Sequence, residues 1–249
     1  MSVETVRHDR VLVVTMVREA KRNALNADIT AGIDAAMNEL EDDPELWCGI
    51  LTGGSRYFSA GADLGAGPGE PTDRGGLVGL IERRRTKPLI AAVEGYALGG
   101  GMELVLCCDL VVAATDATFG LPEPKRGLIP DFGGTFRVAR ALPANIARQL
   151  LLTGEPLDAR RAEAFGFVNL LTEPGGALEG ALGLAAKVCR NAPLAVREAL
   201  AIVNEEINGD DEESWARSHA AHARLLASDD VREGIGAFFD HREPRWTGR

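Results

Sequence analysis

The sequence predicts an α/β domain built on a mostly parallel, fully buried sheet and closed by a helical C-terminal region. Three observations lead there. Short runs of β-branched and apolar residues recur without alternation, as strands buried on both faces require. Segments of helical spacing separate them, as crossovers between parallel strands require. From Gly133 onward nearly every periodic segment is helical.

Taken in order, residues 11–17 (VLVVTMV) form the first strand by their β-branched content. Asn23-Ala24-Leu25-Asn26 makes a turn, with Asn26 placed to cap a helix over 27–40. Residues 48–52 (CGILT) form the second strand, and a polar, glycine-rich loop over 55–76 follows it. A helix then reaches Lys87, Pro88 stops it, and 89–95 (LIAAVEG) is the third strand. After Gly99-Gly100-Gly101 the spacing turns helical through 108, then come a strand over 110–114 and a short one over 118–120. Helices are expected over 135–141, 145–152, 158–164, 177–189 and 193–208, with an isolated strand over 168–171. Two more helices, 210–228 and 231–241, complete the chain. The break near residue 190 divides an α/β core (1–190) from the helical region (191–249).

Composition narrows the function. The 249 residues, 45% apolar and 26% charged, suit one large globular domain and exclude disordered and fibrous classes. A formal net charge of −10 argues against nucleic acid or anionic lipid as the main partner. Cys48, Cys107, Cys108 and Cys189 show no CxxC spacing and read as small apolar residues in a reducing compartment, which points to the cytoplasm. The start, MSVETVRHDR, has no apolar stretch of the secretory kind. The most apolar segment, 89–114, carries Glu94, Glu103 and Asp109 and reads as core rather than a membrane span. His8, His219, His222 and His241 have no partners for a triad or a metal, and no metal site is expected.

Four features carry candidate chemistry. Phe58 to Leu64 (FSAGADL) follows a strand, and small residues around its glycine let a ligand approach backbone N–H groups that stabilise an oxyanion. The triplet Gly99-Gly100-Gly101 opens a helix, where free N–H groups and the helix dipole favour an anion or a developing enolate; it lacks the GxGxxG register of a dinucleotide site. Glu103 stands amid Met102, Leu104, Val105, Leu106 and Cys107, an ionisable group that needs a partner or a task. Glu123 lies between Pro122 and Pro124, which fix the backbone and aim its side chain. Each feature has a plainer reading as packing, an ion pair or a surface turn. Together they describe two donor loops around a carbonyl and two carboxylates beside it, of which one tends to stay protonated.

In these segments the sequence resembles the enoyl-CoA hydratase/isomerase family, the crotonases. The matching stretches are RNALN (22–26), FSAGADL (58–64), KPLIAAVEGYALGGGMEL (87–104), FGLPEPKRGLIPDFGGTFRV (119–138), TGEPLDARRAEAFGFVN (153–169) and EGIGAFFDHREPRW (233–246). The resemblance implies a crotonase-like spiral of ββα units with a C-terminal helical trimerisation region, assembled as a homotrimer or a dimer of trimers. It implies hydration of the 2,3 double bond of a trans-2-enoyl-CoA to a 3-hydroxyacyl-CoA, a hydro-lyase reaction. The N–H groups of Ala62 and Gly100 would form the oxyanion hole, Glu103 would activate water, and Glu123 would protonate C2. Ala24, Ser59, Ala60, Asp63, Leu64, Tyr96, Gly99, Pro122 and Asp131 would contact substrate or CoA. No metal or redox cofactor is implied, since CoA arrives as part of the substrate.

The stretch LPEPKRGLIPDFGG and the closing PRWTGR look like the carnitinyl-CoA dehydratase branch, which pairs both glutamates with an aspartate at position 131. Asp131 has two further readings: a cap for the helix starting near Gly133, or a partner of Glu123 in an enoyl-CoA or dienoyl-CoA isomerase. RNA binding, which a branch of the family shows, is disfavoured by the net charge, and CoA-thioester hydrolysis is a third possibility. The run Arg83-Arg84-Arg85 with Lys87 reads as a solvated helix face rather than a CoA phosphate clamp; Arg56, His241, Arg242 and Arg245 are further clamp candidates. The acidic run 210–213 suits a helix start.

Overall fold

The structure, a computed structural model, describes residues 2–126, 128–206, 227–230, 232, 233, 237, 240, 242 and 244–249. The expected helices 210–228 and 231–241, the acidic run 210–213, and His219, His222 and His241 fall wholly or mostly outside the described residues.

Among the described residues the strands run in the order β1 (Val3–His8), β2 (Val11–Met16), β3 (Cys48–Thr52), β4 (Leu89–Val93), β5 (Tyr96–Leu98), β6 (Leu110–Ala114), β7 (Thr118–Gly120), β8 (Leu157–Asp158) and β9 (Leu170–Thr172). The helices are α1 (Ala27–Asp42), α2 (Gly100–Val105), α3 (Gly134–Ala141), α4 (Ala144–Thr153), α5 (Ala159–Ala164), α6 (Ala177–Cys189) and α7 (Pro193–Glu206). One sheet runs β1-β2-β3-β4-β6-β9, parallel throughout except for the antiparallel edge strand β1. A smaller sheet, β5-β7-β8, stands beside it.

Burial on both faces explains the unbroken apolar strands. Val11, Val13, Cys48, Ile50, Ile90, Ala92 and Val112 face α6, whose Ala177, Ala181 and Ala185 let it approach closely. Leu12, Val14, Met16, Leu51 and Ala91 face the larger core with Ile29, Ile33, Met37 and Leu40 of α1. Helix α1 begins as expected, with Asn26 Oδ1 accepting from Ile29 N at 3.1 Å. Helix α6 begins on a buried carboxylate: Glu94 accepts from Gly175 N at 3.0 Å and Ala177 N at 2.9 Å. Among the described residues, no helix is long and apolar enough to cross a membrane.

The helix expected to reach Lys87 does not form. Only a short 3₁₀ turn, Leu77–Gly79, is present, with Val78 held at φ 53°. The chain then runs so that residues 82, 84 and 86 are exposed while the side chains of Arg83, Arg85 and Lys87 point inward. Arg83 pairs with Asp34. Arg85 grips Asp109 with both amino groups at 2.7 and 2.9 Å, and Lys87 donates to Leu40 O at 2.6 Å and Asp43 O at 2.7 Å. The basic run is therefore neither a solvated helix face nor a phosphate clamp. Alternation in an extended chain sends every second cation into the fold, where carboxylates and carbonyls satisfy it. The strands β1, β5 and β8 also lie outside the sequence-based expectations; β5 and β7 carry the segments that build the site.

Candidate active site

The first donor loop is threaded between β5 and the turn around residue 24. Ser59 N donates to Tyr96 O, Leu98 N to Ser59 O and Leu25 N to Gly61 O. Asn23, fully buried, organises the loop by donating from Nδ2 to Gly53 O, Tyr57 O and Phe58 O at 2.8, 3.0 and 3.2 Å. Around Ala62 every neighbouring amide is used: Ala60 N donates to Arg22 O, Gly61 N to Ser59 Oγ and Asp63 N to Leu25 O. Ala62 N–H meets no acceptor among the described residues. Such an accounting gap in half-buried backbone marks a donor held for something else.

The second donor opens α2. Gly99 takes φ 55°, which favours glycine, and Gly100 N–H, the first of the helix, has no acceptor among the described residues. The two loops touch, for a Cβ on Gly61 would stand 2.7 Å from Leu98 O and 3.2 Å from Gly100 N.

Helix α2 carries Glu103 into the interior at 1% exposure. Its Oε1 accepts from Gly134 N at 2.8 Å, the first amide of α3. Burial pushes its carboxyl up, with the negative charges of Glu123 and Asp131 adding to the effect; the N–H groups of Gly134 and Phe132 pull the other way, and the balance lies at about 7. Glu123 starts the 3₁₀ turn Glu123–Arg126 after β7, half-buried with Oε2 out of solvent. It rests on the glycine loop, since a Cβ on Gly99 would stand 3.0 Å from its Oε1.

These groups share one cavity of about 250 Å³, lined by Ala60, Gly61, Ala62 and Leu64, by Gly99, Gly100 and Glu103, and by Pro122, Glu123, Leu128, Ile129, Asp131 and Phe132. Two N–H donors and two carboxylates lining one cavity can polarise a carbonyl oxygen and move a proton at the adjacent carbons. No three His, Cys, Asp or Glu side chains gather as a metal cage among the described residues.

Comparison with known proteins gives the family and the fold. The enoyl-CoA hydratase/isomerase family model matches residues 7–249. The chain belongs to that family. A carnitinyl-CoA dehydratase of Citrobacter koseri is 39% identical over 259 residues, spanning 100% of this chain and 99% of the relative. An enoyl-CoA hydratase structure from Mycobacterium tuberculosis superposes with a TM-score of 0.96 at 44% identity, covering 100% and 99% of the two chains. A carnitinyl-CoA hydratase structure from Mycobacterium avium superposes at 0.79 with 38% identity and the same coverage. The crotonase fold and the helical C-terminal region follow, and the chain is a crotonase-family enzyme of the hydro-lyase type.

Of the residues singled out from the sequence, the crotonase cavity gathers Ala60, Ala62, Leu64, Gly99, Gly100, Glu103, Pro122, Glu123 and Asp131. Ala24, Ser59, Asp63 and Tyr96 are not on its wall. Ser59 is fully buried and donates to Asn23 O at 2.8 Å, so it builds the donor loop from behind. Asp63 pairs with Arg18 at 2.8 Å and accepts from Gly65 N and Ala66 N; these bonds hold its carboxyl at about 2. Ala24 O accepts from Arg18 at 2.8 Å, and Tyr96 stacks on Tyr57 with centroids 4.8 Å apart. Arg56 pairs with Glu19, and Arg242 with Glu233.

The cap reading of Asp131 is corrected. Gly133 is the N-cap of α3 with no side-chain bond, Asp131 sits exposed at the cavity rim, and it is Glu103 that meets the helix amide. Gly61, the glycine of the FSAGADL loop, is on the wall as well, whereas residue-level reading missed Leu128, Ile129 and Phe132 on the wall and Asn23 and Gly134 behind it. Leu128 and Ile129 stand 52% and 67% exposed, and an apolar pair inside a glycine- and proline-rich loop was the available signal.

Proposed function

We propose that the chain adds water reversibly across the 2,3 double bond of a 2-enoyl-CoA thioester, or removes it from the 3-hydroxyacyl-CoA. The observation that carries this reading is the single cavity lined by Glu103, Glu123, Ala62 and Gly100, the last two with N–H groups that meet no acceptor among the described residues. The thioester oxygen accepts from those two N–H groups, each donor contributing roughly 2.7–4 kcal/mol in the transition state. Glu103, ionised, takes a proton from water as the oxygen attacks C3. Negative charge moves through C2 onto the held oxygen as an enolate, and Glu123 delivers a proton to C2. Water's oxygen ends on C3, one hydrogen ends on C2, and no electrons leave the substrate, so the steps call for no cofactor beyond the CoA it carries. The relatives named for carnitinyl-CoA support a 3-hydroxyacyl group of that kind among the substrates.

A second reading rests on Asp131, which lines the same cavity: Glu123 and Asp131 would shuttle a proton and move the double bond without water. Incubation with crotonyl-CoA separates the two. Hydration bleaches the conjugated enoyl absorbance, and Glu103→Gln or Glu123→Gln slows the bleaching by at least about a hundredfold. Near wild-type bleaching in both variants contradicts the assignment. We further propose that the enzyme works as a homotrimer or dimer of trimers in the cytoplasm, where its four free cysteines stay reduced.

A further inference from the structure

We infer that Arg137 is a positioning residue for Glu103: its guanidinium spans two backbone carbonyls and so fixes the loop whose N–H groups hold that carboxylate. The inference rests on the proposed role of Glu103 as the group that activates water. Arg137 lies in the first turn of α3, and its two amino groups diverge. Nη1 donates to Phe132 O at 3.1 Å and Nη2 to Ile81 O at 2.6 Å. Ile81 belongs to the buried core, so the loop is tied to a fixed point. The same loop presents Gly134 N to Glu103 Oε1 at 2.8 Å, and Phe132 N–H acts on the same carboxylate. Its backbone has been cleared for the guanidinium, since a Cβ on Gly133 would stand 2.2 Å from Arg137 Nη1.

Phe132 extends the effect to the donor wall, because its ring lies 3.2 Å from where a Cβ on Gly100 would sit. Helix α3 has no side-chain cap of its own, so the Arg137 fork supplies the anchorage that the glycine pair cannot. A rigid planar fork suits two carbonyls in different directions; an ammonium on a flexible stem does not.

The charged and titratable groups facing Glu103 are Glu123 after β7, Asp131 before α3 and the Cys107 thiol beyond α2, and Cys107 also lies in the field of Arg137. The test therefore keeps the positive charge in one variant, so that an effect of charge separates from an effect of the guanidinium fork. The pH dependence of crotonyl-CoA hydration is measured on the full chain for wild type, Arg137→Gln, Arg137→Lys and Glu103→Gln. Arg137→Gln lowers kcat at least about tenfold with little change in KM, as expected when a reacting group is misplaced. It also moves the acid limb of the profile to higher pH. Arg137→Lys moves the limb in the same direction by less and loses part of kcat. A wild-type limb and kcat in Arg137→Gln overturn the inference, and so does full rescue by lysine, which would assign the effect to charge. If the glutamine variant does not fold, the lysine variant decides by the same criteria. Undiminished hydration in Glu103→Gln would instead remove the role of Glu103 itself.

Discussion

Glu103 is set by two opposing influences, burial raising its carboxyl and two backbone N–H groups lowering it, with a balance at about 7. As the proposed base, Glu103 must be ionised to work, so kcat/KM is expected to fall as pH drops through that midpoint. Stability runs the opposite way. An ordinary glutamate titrates near 4.5, and this one is raised on folding, so the folded state holds its proton more tightly. The cost is absent below pH 4.5, grows as pH rises, and is complete above about 7. Glu103→Gln removes the charge and still accepts from Gly134 N, so it raises the melting temperature at pH 8, with the gain vanishing near pH 4. The gain corresponds to up to about 3 kcal/mol; equal melting curves at pH 8 would contradict this. Glu103 and Glu123 were nominated in the sequence by an apolar run and by flanking prolines, and it was their combination with the two glycine loops, not either glutamate alone, that pointed to a site. Asn23, Gly134 and Arg137 were not nominated, since each acts through backbone groups that only folding brings near.

At the scale of elements, the strands that the sequence shows plainly are those buried on both faces, because their apolar runs have no other explanation. β1 escaped notice since its exposed residues, from Glu4 to His8, mix charge with β-branching. The segment ending at Lys87 misled because consecutive arginines look solvated, whereas the fold provides Asp34 and Asp109 as internal partners. Glu94 is a buried carboxylate of another kind from the proposed base Glu103, one that only supports the fold. Both its oxygens are taken by the amides that begin α6, it lines no part of the cavity, and α6 covers one face of the main sheet. Glu94→Ala leaves those amides buried and lowers unfolding free energy by about 1–3 kcal/mol. Denaturant titration checks this, and hydration kinetics stay at the wild-type level below the transition.

For the whole molecule, an acidic chain builds the cavity proposed as its active site where four distant segments meet, around residues 62, 100, 123 and 132. None of them is a site alone, which is why residue patterns nominated the components while a recognised family arrangement joined them. Assembly belongs to this scale too. Phe136, Leu152 and Val203 are large exposed apolar side chains on α3, α4 and α7, and a cavity of about 890 Å³ opens beside α7. Sedimentation at three or six chain masses agrees with the proposed assembly, and a monomer does not. The most direct test of the central claim is a crystal structure with a saturated acyl-CoA, which binds without reacting. The expected complex has the thioester oxygen about 3 Å from both Ala62 N and Gly100 N, with C2 and C3 between the carboxylates of Glu103 and Glu123. A thioester bound away from those amides, or carbons reached by only one carboxylate, would contradict it.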